Sequence, residues 1–346
     1  MYLGIEIGGT KLQLGVGSGD GKLVAMERHD VQPALGAAGI LEQIETSGRT
    51  LAARHGVTGV GIGFGGPVDS PGGRVIKSHH VEGWNDQPLV AWCDRKLSLP
   101  AVLENDCDAA GVAEARFGAG QGRQVVLFVT VGTGIGGGLV LGGKIYRGSG
   151  HGAAEIGHLR PGLHADRPDQ TVESLASGWG IAAAAQARLS DTISHAFVPL
   201  TAGLNRSTRD DVRQRLIESE ETAAEYVSDL WDRCGGKIDQ LTAVLVAQAA
   251  GEGNEVARDV LARACQALGW GIAQAITLVS PQVVVVGGGV SLADESLFLL
   301  PLRREVERYV FPPLAGSFEI VPAQLGEQVV VHGALAVAAD RFGQRG

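Results

Sequence analysis

A chain of 346 residues with 45% hydrophobic side chains is long enough for two lobes around a cleft and too apolar for global disorder. Its 38 acidic residues against 29 basic ones, a formal net charge of −9, argue against a nucleic-acid-binding surface. No stretch approaches the roughly 20 apolar residues that span a bilayer, and the strand-like first residues do not resemble a signal peptide, so we expect a cytoplasmic protein without a membrane partner.

The first 117 residues read as an α/β unit in which glycines follow short apolar runs. Residues 2–7 and 12–16 are predicted strands joined by the turn Gly8-Gly9-Thr10-Lys11. The other predicted elements are a turn at 18–21 with a strand over 22–31, a helix over 38–54, strands over 57–64 and 101–104, and a helix over 109–117 closed by Gly118.

The strand–glycine turn–strand pattern recurs about 120 residues later. Residues 124–131 are a predicted buried strand, Gly132–Gly138 a turn, and 139–146 a strand with a tight turn at Gly142-Gly143. Further predictions are helices within 243–279 broken at 251–253, a strand over 283–286, and a helix over 333–342. The recurrence predicts two related lobes, residues 1–117 completed by a helix at about 330–346, and residues 118–329 with a helical surface insertion at about 190–238.

Two glycine patterns in the chain mimic nucleotide motifs without their structural context. GxGxxG occurs at Gly61–Gly66 and Gly132–Gly137, but the residues after Gly137 are strand and turn, whereas a dinucleotide site needs a helix there. The run from Gly138 to Lys144 resembles a Walker A loop, yet Ile145 replaces the required Ser or Thr. We therefore reject both interpretations.

The two glycine turns, Gly8-Gly9-Thr10-Lys11 and Gly132-Thr133-Gly134, each present successive backbone N–H groups and a hydroxyl. Such a nest suits phosphate oxygens, and Lys11 adds a positive charge. Either turn alone could equally be an ordinary tight hairpin. Their duplication, one per lobe, favours phosphate binding across a cleft.

Polar side chains with a second possible role follow the strand over 101–104. Asn105-Asp106 could be an ordinary helix N-cap, but the carboxyl end of a strand is where α/β sheets place ligands. Gly287-Gly288-Gly289 follows the apolar run at 283–286 in the same way. It could be a simple strand-end turn or an approach of backbone to a flat ligand such as adenine.

Glu155, His158 and Glu173 lie in or near a turn-rich segment, so they are unlikely core residues. Carboxylates and an imidazole suit the adjacent hydroxyls of a polyol. A zinc site made by His151, His158 and His164 is the weaker alternative, because no cysteine lies nearby. Cys93, Cys107, Cys234 and Cys265 are far apart and form no CxxC pair, which fits buried thiols in a reducing cytosol.

Taken together and in order, these segments resemble the ROK family of bacterial sugar kinases and repressors, within the actin-like ATPase superfamily. The matching segments are GIEIGGTKLQLGV at 4–16, GFGGPVD at 63–69, ENDCDAAGVAEARFGAG at 104–120, VTVGTGIGGGLVLGGKIYRGSGHGAAEIGH at 129–158, ESLASG at 173–178 and VVVVGGGVS at 283–291. The resemblance implies two actin-like, ribonuclease H-like lobes with a cleft between them.

The resemblance also implies residue roles. Asp106 is similar to the family's general base, and the implied sugar-binding set is Gly66, Asn105, Glu155, His158 and Glu173. Gly8, Gly9, Thr10, Lys11, Thr133 and Gly134 resemble phosphate-binding residues, Gly288 lies in the adenosine motif, and Glu6 could organise Mg²⁺ through water. The implied reaction is transfer of the γ-phosphoryl group of MgATP to a hexose hydroxyl, with a homodimer as the expected assembly.

Three departures from the family's pattern bear on that expectation. Glu6 stands where the family often has Asp, and the interval between His158 and Glu173 contains none of the cysteines of the family's CxCGxxGC zinc motif. We therefore expect no structural zinc. The phosphate motif begins at residue 4, so we expect no DNA-binding domain. The alternatives that stay open are a kinase for an N-acetylhexosamine or fructose, and a sugar sensor without catalytic activity.

Overall fold

The computed structural model describes residues 1–78, 81–149, 152–162, 167, 169–197 and 224–343. These residues form a mixed α/β protein with two five-stranded sheets and one two-stranded ribbon. The ribbon pairs β5 (Val68–Asp69) with β6 (Arg74–Val75) and follows the first glycine-rich strand end.

The first sheet has the order β3-β2-β1-β4-β7. Its strands are β1 (Tyr2–Ile7), β2 (Lys11–Gly17), β3 (Leu23–Asp30), β4 (Val60–Phe64) and β7 (Ala101–Asn105). The first three form an antiparallel meander, and β4 and β7 add in parallel on the other side of β1. The parallel strands β1, β4 and β7 therefore end at one edge of the sheet, where α/β proteins place ligands.

The second sheet repeats this topology strand for strand. Its order is β10-β9-β8-β11-β12, again an antiparallel meander extended by two parallel strands. The strands are β8 (Val125–Val131), β9 (Ile135–Leu141), β10 (Lys144–Ile145), β11 (Val283–Gly287) and β12 (Glu319–Pro322). The repeat of the hairpin seen in the sequence is thus a repeat of a whole sheet.

The buried apolar residues form three clusters, to which both the sheets and the helices that cover them contribute. The described helices are α1 (Gly36–His55), α2 (Leu89–Leu97), α3 (Asp106–Phe117), α4 (Val172–Ala176), α5 (Gly178–Phe197), α6 (Ala224–Arg233), α7 (Ala243–Gly251), α8 (Glu255–Val279), α9 (Leu299–Tyr309) and α10 (Val329–Phe342). Helix α1 buries Ile40, Ile44 and Leu51 against the first sheet and ends at Gly56 with φ 61°. The second sheet packs against the larger helical core.

Helices α3 and α10 lie side by side between the two sheets. A Cβ added to Gly333 of α10 would lie 1.8 Å from the Ala109 carbonyl oxygen of α3, and one added to Gly61 of β4 would lie 1.9 Å from Ala334 O. Only glycine permits such close backbone approaches. The last helix of the chain therefore packs on the first sheet, far from its neighbours in sequence.

The turn predicted over Gly132–Gly138 is wrong in its extent. Strand β9 begins at Ile135, so three of these glycines pair with β8. Gly136 and Gly138 face helix α3, because a Cβ at Gly138 would lie 2.6 Å from Cys107 O and one at Gly136 would lie 2.4 Å from Cys107 Sγ. Gly137 faces the other side of the sheet, where a Cβ would lie 2.3 Å from Ala154 O. The Walker-like and dinucleotide interpretations both need a helix after the glycines. A strand and a hairpin follow them instead, which agrees with the rejection of both interpretations.

Several element boundaries also differ from the sequence-based expectation. Helix α3 begins at Asp106 instead of residue 109 because Asn105 caps it, and α10 begins at Val329 instead of residue 333. The strand predicted over 57–64 starts at Val60. Of the insertion predicted at about 190–238, residues 198–223 lie outside the described residues, and the flanking α5 and α6 are helical. None of the described helices is long and apolar enough to cross a membrane.

Candidate active site

The first glycine turn joins β1 to β2 at the ligand-binding edge of the first sheet. Gly8 N donates to Lys11 O at 3.0 Å, which closes the turn, and Thr10 is exposed. The Lys11 ammonium lies 3.2 Å from Glu6 Oε1 and donates to Glu327 O at 3.2 Å. The positive charge predicted for this turn is therefore held beside it by a carboxylate from β1.

Glu6 is a buried carboxyl at this turn, with 7% of its surface exposed. Burial raises its pKa to about 7, while the neighbouring Lys11 charge acts in the opposite direction. In the orientation of its amide that satisfies both groups, Gln13 donates to Glu6 Oε2 at 3.0 Å. Glu6 is therefore poised between its protonated and ionised forms near neutral pH.

The second glycine turn joins β8 to β9 and is tied to helix α4. Gly132 N donates to Gly134 O at 2.9 Å, and Gly178 N donates to Gly132 O at 2.8 Å. Glu173 Oε2 accepts the Ile135 N–H at 2.8 Å. Glu173, predicted as a sugar ligand, thus also fixes the turn predicted to hold phosphate, and Thr133 remains exposed.

Gly288 lies at the end of β11, next to this second turn. Its φ is 91°, and a Cβ there would lie 2.5 Å from Val131 O, the last residue of β8. A side chain would therefore both strain the backbone and collide with β8. The structure thus brings the residue predicted for adenosine binding beside Gly132-Thr133-Gly134.

Asn105 is the N-cap of α3 and a link to the first sheet's neighbouring loop. Its Oδ1 accepts from Cys107 N at 2.8 Å and from Asp108 N at 3.4 Å. Its Nδ2 donates to Gly66 O at 3.1 Å. The capping interpretation is therefore correct for Asn105, and the same side chain fixes the backbone of Gly66, a second predicted sugar contact.

Asp106 is the first residue of α3 and is partly exposed at the meeting point of β1, β4 and β7. Its Oδ1 accepts from Cys107 N at 2.9 Å, and its Oδ2 lies 3.3 Å from where a Cβ of Gly65 would stand. Gly65 N in turn donates to Ile7 O at 2.9 Å, directly before the first glycine turn. Asp106 therefore lies next to the predicted phosphate turn.

Burial raises the pKa of Asp106, and the charge of Glu155 raises it further, against the opposing hydrogen bond from Cys107. Glu155 is exposed and precedes the 3-10 turn Ile156–His158. The two carboxylates therefore lie within electrostatic range of each other, although 49 positions separate them. A raised pKa moves Asp106 toward the range in which a carboxylate accepts a proton efficiently near neutral pH.

His158 is exposed, and backbone hydrogen bonds connect its segment to Glu155 and to the residue before Glu173. His158 N donates to Glu155 O at 3.0 Å, and Val172 N, one residue before Glu173, donates to Leu159 O at 2.8 Å. Thr171 and Ser174 form a reciprocal capping box at the start of α4. These bonds tie the segment of His158 to the start of α4, which carries Glu173.

A second group of polar residues near Asp106 was missed by sequence reasoning. Glu104 is 3% exposed and binds Arg147 and Ser70, and Asp108 is 7% exposed. The signal available for Glu104 was an acidic residue at the end of the otherwise apolar strand AVLEN. No sequence signal connected it to Arg147, 43 residues later.

The carboxylates of the candidate site offer oxygen donors that a metal ion could use. No group of three or more His, Cys, Asp or Glu that could hold a metal occurs in the part of the chain that the structure describes. Magnesium, however, is commonly bound through one or two carboxylates together with substrate phosphates. Glu6, whose carboxylate lies beside the first turn next to Lys11, is an oxygen donor that fits that mode.

Comparison with known proteins gives matches along almost the whole chain. The sequence model of the ROK family matches residues 2–341. Glucokinases of Streptomyces coelicolor and Thermotoga maritima are 30% and 28% identical to the chain, covering 98% and 99% of it and 98% of each relative. A solved structure, a ROK family glucokinase from Streptomyces griseus in complex with glucose and AMPPNP, is 30% identical and has a TM-score of 0.75, covering 98% of this chain and 99% of that one.

Proposed function

Because the chain belongs to the ROK family, we propose that it is an ATP-dependent hexokinase, with glucose as the first candidate substrate and its C6 hydroxyl as the acceptor. The predicted fold class, two actin-like ATPase lobes, is confirmed by the solved ROK structures that resemble this chain and fits its two sheets of identical topology. Glucokinase relatives over the full length support the activity.

The observation that carries this proposal is the place of Asp106. Its carboxylate lies against Gly65 beside the first glycine turn. Burial raises its pKa, and the charge of Glu155, which follows the hairpins of the second sheet, raises it further. A sugar hydroxyl held by the Glu155 side and a phosphoryl group held by the glycine turns would meet at this carboxylate. That is the arrangement required for a base in phosphoryl transfer.

In the proposed mechanism, Asp106 accepts the proton of the attacking hydroxyl as the oxygen–phosphorus bond forms. Its raised pKa makes it a better proton acceptor than an exposed aspartate. Glu155, His158, Glu173 and Asn105 hold the sugar ring, and the Asn105 amide also holds Gly66 O. Orientation of the hydroxyl toward phosphorus supplies most of the rate enhancement in such a transfer.

The phosphate side is served by the two glycine turns. Backbone N–H groups of Gly9, Thr10, Thr133 and Gly134 are proposed to donate to phosphate oxygens, with Lys11 as a neighbouring positive charge. Gly288 leaves room for the adenosine beside the second turn. Bound Mg²⁺ supplies charge neutralisation on the phosphates, and Glu6 is the residue proposed to hold it, through water.

The cysteines support the proposed cytoplasmic location. All four lie in the described part of the chain, buried and without a disulfide. Burial raises the pKa of Cys93 and of Cys265 to about 12, so neither is a reactive thiolate near neutral pH. Buried free thiols of this kind are typical of proteins in a reducing compartment.

The test is a panel assay of the purified protein with ATP, Mg²⁺ and single sugars, which measures sugar-dependent ADP formation. We expect glucose to give the highest kcat/KM. A preference for fructose or an N-acetylhexosamine would keep the kinase but change its substrate. Sugar binding without ADP formation for any sugar in the panel would contradict the proposal and favour a non-catalytic sensor.

A further inference from the structure

Three segments of the chain converge on the carboxylate of Glu104, which is 3% exposed at the end of β7. Arg147 donates to it in a bidentate manner, from Nε to Oε2 at 3.0 Å and from Nη2 to Oε1. Ser70 Oγ donates to Oε2 at 3.1 Å. Planar bidentate pairs of this kind are strong and fix the relative orientation of the segments that carry them.

Each of the three segments leads directly into the proposed sugar site. Glu104 is followed by Asn105 and Asp106. Ser70 comes four residues after Gly66, whose carbonyl oxygen is already bound by Asn105. Arg147 follows β10 of the second sheet and begins the stretch that ends at Glu155. The ion pair therefore crosses from the first sheet to the chain of the second sheet immediately behind the proposed site.

Asp108 is a second buried carboxyl group whose charge Arg147 compensates. This side chain is 7% exposed, and its Oδ1 has no hydrogen-bond partner among the described residues. Burial raises the pKa of Asp108, the charge of Glu104 raises it further, and the charge of Arg147 lowers it, so the guanidinium that binds Glu104 also compensates Asp108 electrostatically. Without Arg147, two buried carboxyl groups would lose their compensating charge, which favours separation of the segments.

We propose that the Glu104–Arg147 ion pair is a positioning device that sets the distance between the general base Asp106 and the sugar ligand Glu155. This inference rests on the proposed sugar-kinase function. Neither residue is placed in contact with the substrate. They act on how the sugar is held relative to Asp106, so sugar affinity and turnover depend on the pair and ATP affinity does not.

The test compares four variants with the wild type in steady-state assays with glucose and ATP. They are Arg147→Met, Arg147→Lys, Glu104→Gln and the double variant that combines Arg147→Met with Glu104→Gln. We expect Arg147→Met and Glu104→Gln each to raise the KM for glucose by at least about tenfold and to lower kcat, because the hydroxyl is then held less well against Asp106, with the KM for ATP changed less than about threefold. Arg147→Lys keeps the charge and should recover part of the loss. The double variant should be no worse than the poorer single variant, because both remove one interaction.

A matched control exists in the Arg123–Glu319 pair. The Arg123 side chain is 40% exposed, as is that of Arg147, but its partner Glu319 is 58% exposed and lies on β12. Arg123→Met should leave both KM values within about twofold of the wild type. Circular dichroism and thermal unfolding of every variant establish which ones are folded.

The outcomes separate the inference from the function on which it rests. A wild-type protein without sugar-dependent ADP formation would refute the proposed function. An active wild type whose folded Glu104→Gln and Arg147→Lys variants keep a wild-type KM for glucose would refute the positioning role. Equal losses in kcat, KM for ATP and KM for glucose, or additive effects in the double variant, would also refute it.

Discussion

At the scale of single residues, the site depends on how burial changes ordinary carboxylates. Asp106 begins a helix that its neighbour Asn105 caps, and it shares the Cys107 N–H through Oδ1 while its Oδ2 lies beside Gly65. Burial and the charge of Glu155 raise its pKa. The same residue at an exposed helix end would be an ordinary first-turn aspartate with a low pKa.

Replacement of Asp106 by Asn should abolish turnover without abolishing sugar binding. The amide keeps the size of the carboxylate but cannot accept the hydroxyl proton, so kcat should fall by about 10²–10⁴-fold. Titration calorimetry should find the dissociation constant for glucose within about threefold of the wild type. Asp20→Asn, in an exposed turn, is the control for an unrelated carboxylate. A folded Asp106→Asn variant with full activity would remove Asp106 from the role of base.

Asp108 illustrates a carboxyl group whose burial carries a stability cost. Its pKa is raised to about 7, chiefly by burial and next by Glu104, while Arg147 lowers it and Glu155 and Asp106 raise it. The folded state therefore holds the proton more tightly than the unfolded state, in which the pKa is near 3.8. As pH rises from about 4 to about 7, the folded state loses stability relative to the unfolded state.

Replacement of Asp108 by Asn should remove this pH-dependent cost. The free energy of unfolding of Asp108→Asn, relative to wild type, should increase by at least about 1 kcal/mol between pH 5 and pH 8. Urea unfolding at both pH values measures the difference. The exposed Asp239 provides a control, since Asp239→Asn should show the same difference from wild type at both pH values. A constant difference for Asp108→Asn would contradict the raised pKa.

At the scale of elements, the position of α3 is set by glycines on the neighbouring strand. Gly136 and Gly138 of β9 leave space for Cys107 on the first turn of α3, and Gly333 of α10 leaves space for Ala109. The helix start that carries Asp106 therefore lies flat against the second sheet, although the helix follows the last strand of the first sheet.

Gly138→Ala should displace the start of α3 and lower activity as well as stability. Its Cβ would lie 2.6 Å from Cys107 O, a backbone atom that can yield only if the helix moves. We expect a loss of about 1–3 kcal/mol in the free energy of unfolding and a lower kcat. Gly251→Ala, whose Cβ would meet Leu297 at an ordinary 3.7 Å, should change neither. A fully active and stable Gly138→Ala variant would show that α3 does not depend on this contact.

At the scale of the whole molecule, the chain passes between the two sheets twice, after α3 and before α10. The side chain of Glu114 in α3 is fully buried and accepts hydrogen bonds from the backbone of both connecting segments. Its Oε2 accepts the Ala119 N–H at 2.8 Å on the first passage, and its Oε1 accepts the N–H groups of Gln324 and Leu325 at 2.9 and 2.8 Å on the second. Three backbone donors compensate the buried charge.

Glu114→Gln should destabilise the molecule as a whole. The amide NH₂ would face backbone N–H groups in place of an acceptor, which costs about 2–4 kcal/mol in the free energy of unfolding. Thermal unfolding should show a lower Tm, and near-ultraviolet and far-ultraviolet circular dichroism should fall together if the passages couple the two sheets. The surface variant Glu319→Gln should change the Tm little. An unchanged Tm for Glu114→Gln would contradict the stabilising role of these hydrogen bonds.

The fold class and the candidate residues of the site could be predicted from sequence. Apolar runs ending in glycine predicted the strands and their repeat, because local periodicity and turn chemistry are written in neighbouring residues. The family motifs then identified the candidates Asp106, Glu155, His158 and Glu173. The roles of these residues stay predictions until the experiments above are done.

The residues that support the candidate site became visible only in the folded chain. Several of their contacts join positions far apart in sequence. They are the ion pair of Glu104 with Arg147, the hydrogen bond from Ile135 N to Glu173, the packing of α10 on the first sheet, and the close approach of the β9 glycines to α3. A buried charge is satisfied by whatever partner the fold brings to it, and a glycine can serve either a turn or a close approach. Such choices depend on the packing of distant segments, which no local pattern records.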